Sequence, residues 1–72
     1  MYDLSKFSER LRIGRTAKNL SQRQLAKIIG VDPRYISDYE TKGRMPSAEN
    51  LMKLANVLTL PAGYLLGGNY YD

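Results

Sequence analysis

Apolar side chains recur along this chain at three- and four-residue steps, the interval of a helix. Leu4, Phe7, Leu11, Gly14 and Lys18 follow that spacing and predict an amphipathic helix over residues 4 to 18. A Gly inside a helix costs about 1 kcal/mol against Ala, so Gly14 predicts the close approach of another helix. Ser21 and Gln24 form an S-x-x-Q capping box, with Leu20 and Leu25 at the two staple positions around it. Leu25, Ala26 and Ile29 supply the buried face of this second helix, and Gly30 stands where its end turns left-handed. A third helix starts at once. Asp32 is its N-cap, Pro33 its first residue, and Val31 and Ile36 its staple. Ile36 and Tyr39 point inward, and the helix runs to about Thr41, followed by a loop at Lys42, Gly43 and Arg44.

Ser47 caps a fourth helix whose apolar positions are Leu51, Leu54, Ala55 and Leu58. Pro61 begins a short fifth helix through Leu66, ended by Gly67 and Gly68. The tail at residues 69–72 carries no readable pattern, and nothing resembles a series of strands. The expectation is an all-α, five-helix fold.

Composition narrows the function. Seventy-two residues suffice for a single small domain over residues 1–72. No Cys is present, which excludes disulfides and thiolate metal sites, and no His, which removes the usual general base and the commonest metal ligand. No apolar run is long enough to span a membrane, and the first residues lack the order of a secretory signal. A domain of this size is expected to lack a ligand-sized pocket, and without strands it has no strand-to-helix phosphate loop. The sequence therefore predicts no enzyme, no cofactor, no metal, no small-molecule substrate and no membrane partner.

Net charge is +4, unevenly spread. Residues 1 to 30 carry seven bases and two acids, residues 31 to 45 three of each, and residues 46 to 72 one base and two acids. A basic end attracts polyanions through counterion release, although a solvated helix surface accounts for the same charges.

Gly30 to Asp32 leave only about three residues between the second and third helices. A short Gly-containing turn of this kind is the helix-turn-helix pattern, here at about residues 21–41, and it leaves one face of the second helix of the pair free to enter a DNA major groove. FSERLR from Phe7, Arg15, LSQRQLA from Leu20, Ile29-Gly-Val, YISDYE from Tyr35, Pro46-Ser and YLLGG from Tyr64 together resemble the Cro and phage-repressor (XRE-type) helix-turn-helix family. The resemblance covers residues 7 to 68 and implies a compact, lambda-repressor-like five-helix domain. It implies double-stranded operator DNA as partner, a dimer on near-palindromic sites, and a place in the cytoplasm of a bacterial host. It gives Gln22 a role at a phosphate or in positioning a base-reading side chain. It pairs Arg15 with Glu40 as a structural ion pair, which removes both from the DNA-contacting set.

The sequence departs from that family on the third helix. Pro33, Arg34, Ser37 and Asp38, with Thr41 behind them, share the face opposite Ile36 and Tyr39. Pro33 offers no side-chain donor or acceptor, and Asp38 only an acceptor, suited to a cytosine amino group. Asp32 adds a second acid at the tip. The resemblance implies DNA-backbone contacts at Arg23 and Lys27, Lys42 follows the helix, and Arg10, Arg12 and Lys18 are left for phosphate or an acidic partner. Ile13 and Ile28 are expected to widen the core faces; exposed, they would form part of a protein-binding patch. Tyr2, Tyr70 and Tyr71 suit an interface. With no added oligomerisation segment expected, a dimer would use the fifth helix and tail around Tyr64, Leu65 and Tyr70.

Two functions compete. One is a Cro-like regulator whose base contacts come from Arg34, Ser37 and Asp38. The other is a phage antirepressor or modulator of repression that docks on a repressor protein. There the acidic tip would imitate phosphates while Arg34 and Tyr35 anchor the contact. An antitoxin that binds both DNA and a toxin is a third option.

Overall fold

Asp3 starts the first helix. Its carboxylate accepts the backbone N–H groups of Ser5 and Lys6, and α1 then runs Leu4–Ala17. The Ser5 hydroxyl also donates to this carboxylate, and these bonds hold the Asp3 carboxyl below its ordinary range. The structure, a computed structural model, describes residues 3–68. Both halves of the capping box form ahead of α2, Gln22–Ile29: the Gln24 N–H donates to Ser21 Oγ at 2.9 Å and the Ser21 N–H to Gln24 Oε1 at 2.8 Å. Gly30 ends α2 at φ +81°, a conformation that favours glycine. Asp32 accepts the Arg34 N–H at 2.8 Å, and Pro33 opens α3, Pro33–Thr41. Ser47 caps α4, Ala48–Leu58, through the Asn50 N–H. Among the described residues the last helix is α5, Ala62–Leu65, and no strand is present.

The expected helices are all found, with ends moved by a residue or so. Lys18 is the C-cap of α1, Pro61 the N-cap of α5 and Leu66 its C-cap, so these residues flank the helices. No helix among the described residues is long and apolar enough to cross a membrane.

Every helix contributes to one core. Phe7 and Leu11 of α1 meet Leu25, Ala26 and Ile29 of α2, Ile36 and Tyr39 of α3, Leu54, Ala55 and Leu58 of α4, and Leu65 of α5. The Phe7 and Tyr39 rings pack edge to face, 6.1 Å between centroids. Gly14 has the tight neighbour its position predicts. A Cβ there would lie 3.1 Å from Leu60 Cδ1 and 3.3 Å from Leu58 Cδ1, at the end of α4 and just beyond it.

The two ends of the described chain are pinned together. The Asp3 N–H donates to the Leu66 carbonyl at 3.0 Å, and Gly67, at φ +100°, lies so close that a Cβ would fall 2.9 Å from Asp3 Cβ. The Arg10 guanidinium sits 4.0 Å from the Tyr64 ring centroid and donates to the carbonyls of Tyr64 and Gly68.

Three expectations need correction. Arg10 is engaged in this clamp and is not left for phosphate. Leu65 is fully buried, so it offers no dimer surface, and Tyr64 is half-buried beside Arg10. Ile13 and Ile28 do not widen the core; they are 56% and 55% exposed. At about 100° per residue, Ile13 falls about 200° round α1 from Leu11, on the side away from the core, and Ile28 falls at the edge of the α2 stripe, one residue before Ile29. Tyr2, Tyr70 and Tyr71 lie outside the described residues.

Candidate nucleic-acid interface

The turn at Gly30 to Asp32 sets α3 against α2, and α1 backs α3 from behind. Ile36 and Tyr39 enter the core, which turns the opposite face outward. On that face Pro33, Arg34 and Thr41 are exposed and Ser37 and Asp38 half-exposed. The structure thus brings together the five residues expected to read bases. Their chemistry is narrower than their list. Thr41 Oγ1 donates to the Ser37 carbonyl at 2.7 Å, back onto its own helix. Pro33 offers apolar surface. Arg34, Ser37 and Asp38 keep groups directed outward.

The acidic tip is offset by cations. Arg34 Nε lies 3.4 Å from Asp32 Oδ1, in a pair whose Arg side chain is 88% exposed. That contact is too open to be worth much for stability. The Asp32 carboxyl is held below its ordinary range, chiefly by the backbone N–H of Arg34 and further by the Arg34 charge. Asp38 is flanked twice: Lys42 Nζ lies 3.7 Å from Oδ1 and an Arg44 terminal nitrogen 3.4 Å from Oδ2. Arg44 also lies over the Tyr35 ring at 4.0 Å. Tyr35 is therefore half-buried floor under Arg44 and no free anchor. Sequence spacing marks Arg44 only as a loop residue. Its one local signal was a cation six residues beyond Asp38; a loop that folds back leaves no periodic trace.

Behind this face, Arg15 and Glu40 pair in two-pronged geometry, with Nε–Oε2 at 2.7 Å and a second contact at 3.0 Å. Their side chains are 12% and 2% exposed. The hydrogen bonds that Arg15 donates to Glu40, together with the carboxylate charge, raise the Arg15 pKa above its ordinary value. Arg15 also donates to the Leu20 carbonyl, and the Gln22 side-chain amide donates to Glu40 at 3.1 Å. One ionic knot thereby ties α1, the start of α2 and the end of α3. Gln22 belongs to it, with one amide hydrogen left over. Arg23 and Lys27 are exposed on α2 and make no ion pair among the described residues.

A shallow trough runs between the start of α1 and the end of α3. Leu4, Ser8, Arg12, Thr41 and Lys42 are among its lining residues, and it is open to solvent. No group of acids that could hold a metal ion occurs among the described residues.

Five helices around one core, with a glycine turn presenting α3, define a repressor-type helix-turn-helix domain. The chain belongs to the helix-turn-helix family, whose model matches residues 11–65. It is 34% identical over 64 residues to YonR, an SPbeta prophage-derived HTH-type transcriptional regulator of Bacillus subtilis, covering 89% of this chain and 59% of that protein. The chain spans between 53% and 59% of the length of the curated relatives it matches. Among solved structures it is similar to the restriction-modification controller protein C.AhdI of Aeromonas hydrophila (44% identity, TM-score 0.77) and to the P22 c2 repressor bound to a synthetic operator (35% identity, TM-score 0.82). Each comparison covers 88% of this chain and 96% of the other.

Proposed function

We propose that this protein is a Cro-like transcription regulator that binds operator DNA through α3, acting by binding rather than by catalysis. The observation that carries the reading is the outward face of α3, with the cations Lys42 and Arg44 beyond its end and exposed Arg23 and Lys27 on the neighbouring α2. The helix supplies base contacts through Arg34, Ser37 and Asp38. Arg23, Lys27 and Lys42, with Gln22 at the head of α2, supply phosphate contacts. Similarity to a repressor structure whose partner is a synthetic operator supports the same mode. We take the functional unit to be a homodimer, so that two α3 helices reach successive major grooves.

The antirepressor alternative has less support. It needs Asp32 and Asp38 as phosphate mimics, and each sits against at least one cation. Exposed Ile13 and Ile28 are its best remaining argument. A gel-shift series against the DNA upstream of its own gene, at several salt concentrations, separates the two. The regulator reading expects log K to fall with log salt, by about 0.9 per phosphate contact. Absence of binding at low salt, or binding without a salt slope, contradicts it. Retention of a neighbouring repressor, lost on Asp38→Lys, would support the alternative.

A further inference from the structure

The loop after α3 folds back onto the helix it leaves. The N–H groups of Lys42 and Arg44 both donate to the Asp38 carbonyl, at 2.9 and 3.3 Å. Their side chains then take one carboxylate oxygen each, Lys42 at Oδ1 and Arg44 at Oδ2. The Arg44 guanidinium is fixed from below by Tyr35, whose ring in turn packs at 6.4 Å on buried Tyr39. Asp38 is thus held at both its carbonyl and its carboxylate, on a platform that reaches the core, yet its side chain stays 26% exposed.

An aspartate among phosphates is repelled unless its charge is met. Here two cations meet it, so the patch carries net positive charge. A carboxylate is acceptor-only, which selects among base edges. Guanine shows two acceptors in the major groove, and thymine an acceptor and a methyl. Adenine sets an acceptor beside its amino donor, whereas cytosine presents its amino group. We propose that Asp38 selects cytosine in the major groove, and that Arg44 is the positioning residue that holds its carboxylate for that contact. This rests on the reading of α3 as the DNA-facing helix.

The test is selection from randomised duplexes with sequencing, run on the full chain, Asp38→Asn, Asp38→Ala and Arg44→Met, each checked for folding by circular dichroism. The wild type should enrich cytosine at one position per half-site, by roughly 5- to 100-fold over other bases. Asp38→Asn should shift that one position to adenine, because a side-chain amide pairs with both adenine groups. Asp38→Ala should lose the preference without gaining adenine. Arg44→Met should weaken the cytosine preference there several-fold and leave the other positions as they are. An unchanged base preference in both Asp38 variants overturns the proposal. A uniform loss of affinity in Arg44→Met, with cytosine still selected, overturns the positioning role. A wild type that enriches no motif defeats the DNA reading itself, and the proposal with it.

Discussion

Glu40 is a charge that the fold accepts only in company. Its carboxylate is 2% exposed and receives three hydrogen bonds, two from Arg15 and one from Gln22. Removing the guanidinium would leave a buried carboxylate with one neutral donor. Arg15→Met should therefore cost about 3–5 kcal/mol, read as a lowered denaturation midpoint in urea. The same method should find Arg34→Ala indistinguishable from wild type, because its pair is open to water. Arg15 and Glu40 were identifiable from the sequence only through the family pattern, since they stand 25 residues apart with no local rule to join them. Asp38 shows the opposite limit. Its place on the outward face follows from helical spacing, but the cations that neutralise it come from a loop whose path no periodicity dictates. Read alone, the residue is an acid on the outward face with no visible counter-charge; with Lys42 and Arg44 in place it is a compensated acceptor.

The helices were most legible where their signals are local. The capping box at Ser21, the Asp32–Pro33 start and the Ser47 cap each use residues within three positions of one another, and all three form. The C-terminal ends were harder. Asn19 follows α1 and Thr59 ends α4, and both adopt positive φ, at +58° each, without the glycine that usually marks such a turn. For Thr59 this is strain, since a β-branched side chain crowds the left-handed conformation. Thr59→Gly should stabilise the protein by about 1 kcal/mol, seen as a rise of several degrees in Tm with no change in helix content. A fall in Tm would mean that the Thr59 side chain stabilises the end of α4 in another way. Stripe width was the other weak point. Ile28 stands beside buried Ile29, and sequence alone does not say where a stripe stops; Ile13 lies on the far side of α1 from Leu11, where helical spacing already places it outside the stripe. Their exposure gives the molecule two apolar side chains facing solvent.

Taken together, the parts divide the labour of one small body. The core and the Arg15–Glu40 knot fix α3 in place. The Arg10 clamp and the Asp3–Leu66 bond tie α1 to the segment around α5. What remains free is the α3 face with its border of cations. Amide chemical-shift mapping by NMR, with a duplex from the upstream region titrated into labelled protein, tests that division most directly. The expected shifts fall at Ser21 to Arg23, at Lys27, and from Arg34 through Arg44, and they shrink as salt is raised. Shifts confined to the surface around Ile13 and Ile28, or none in α3, would contradict it.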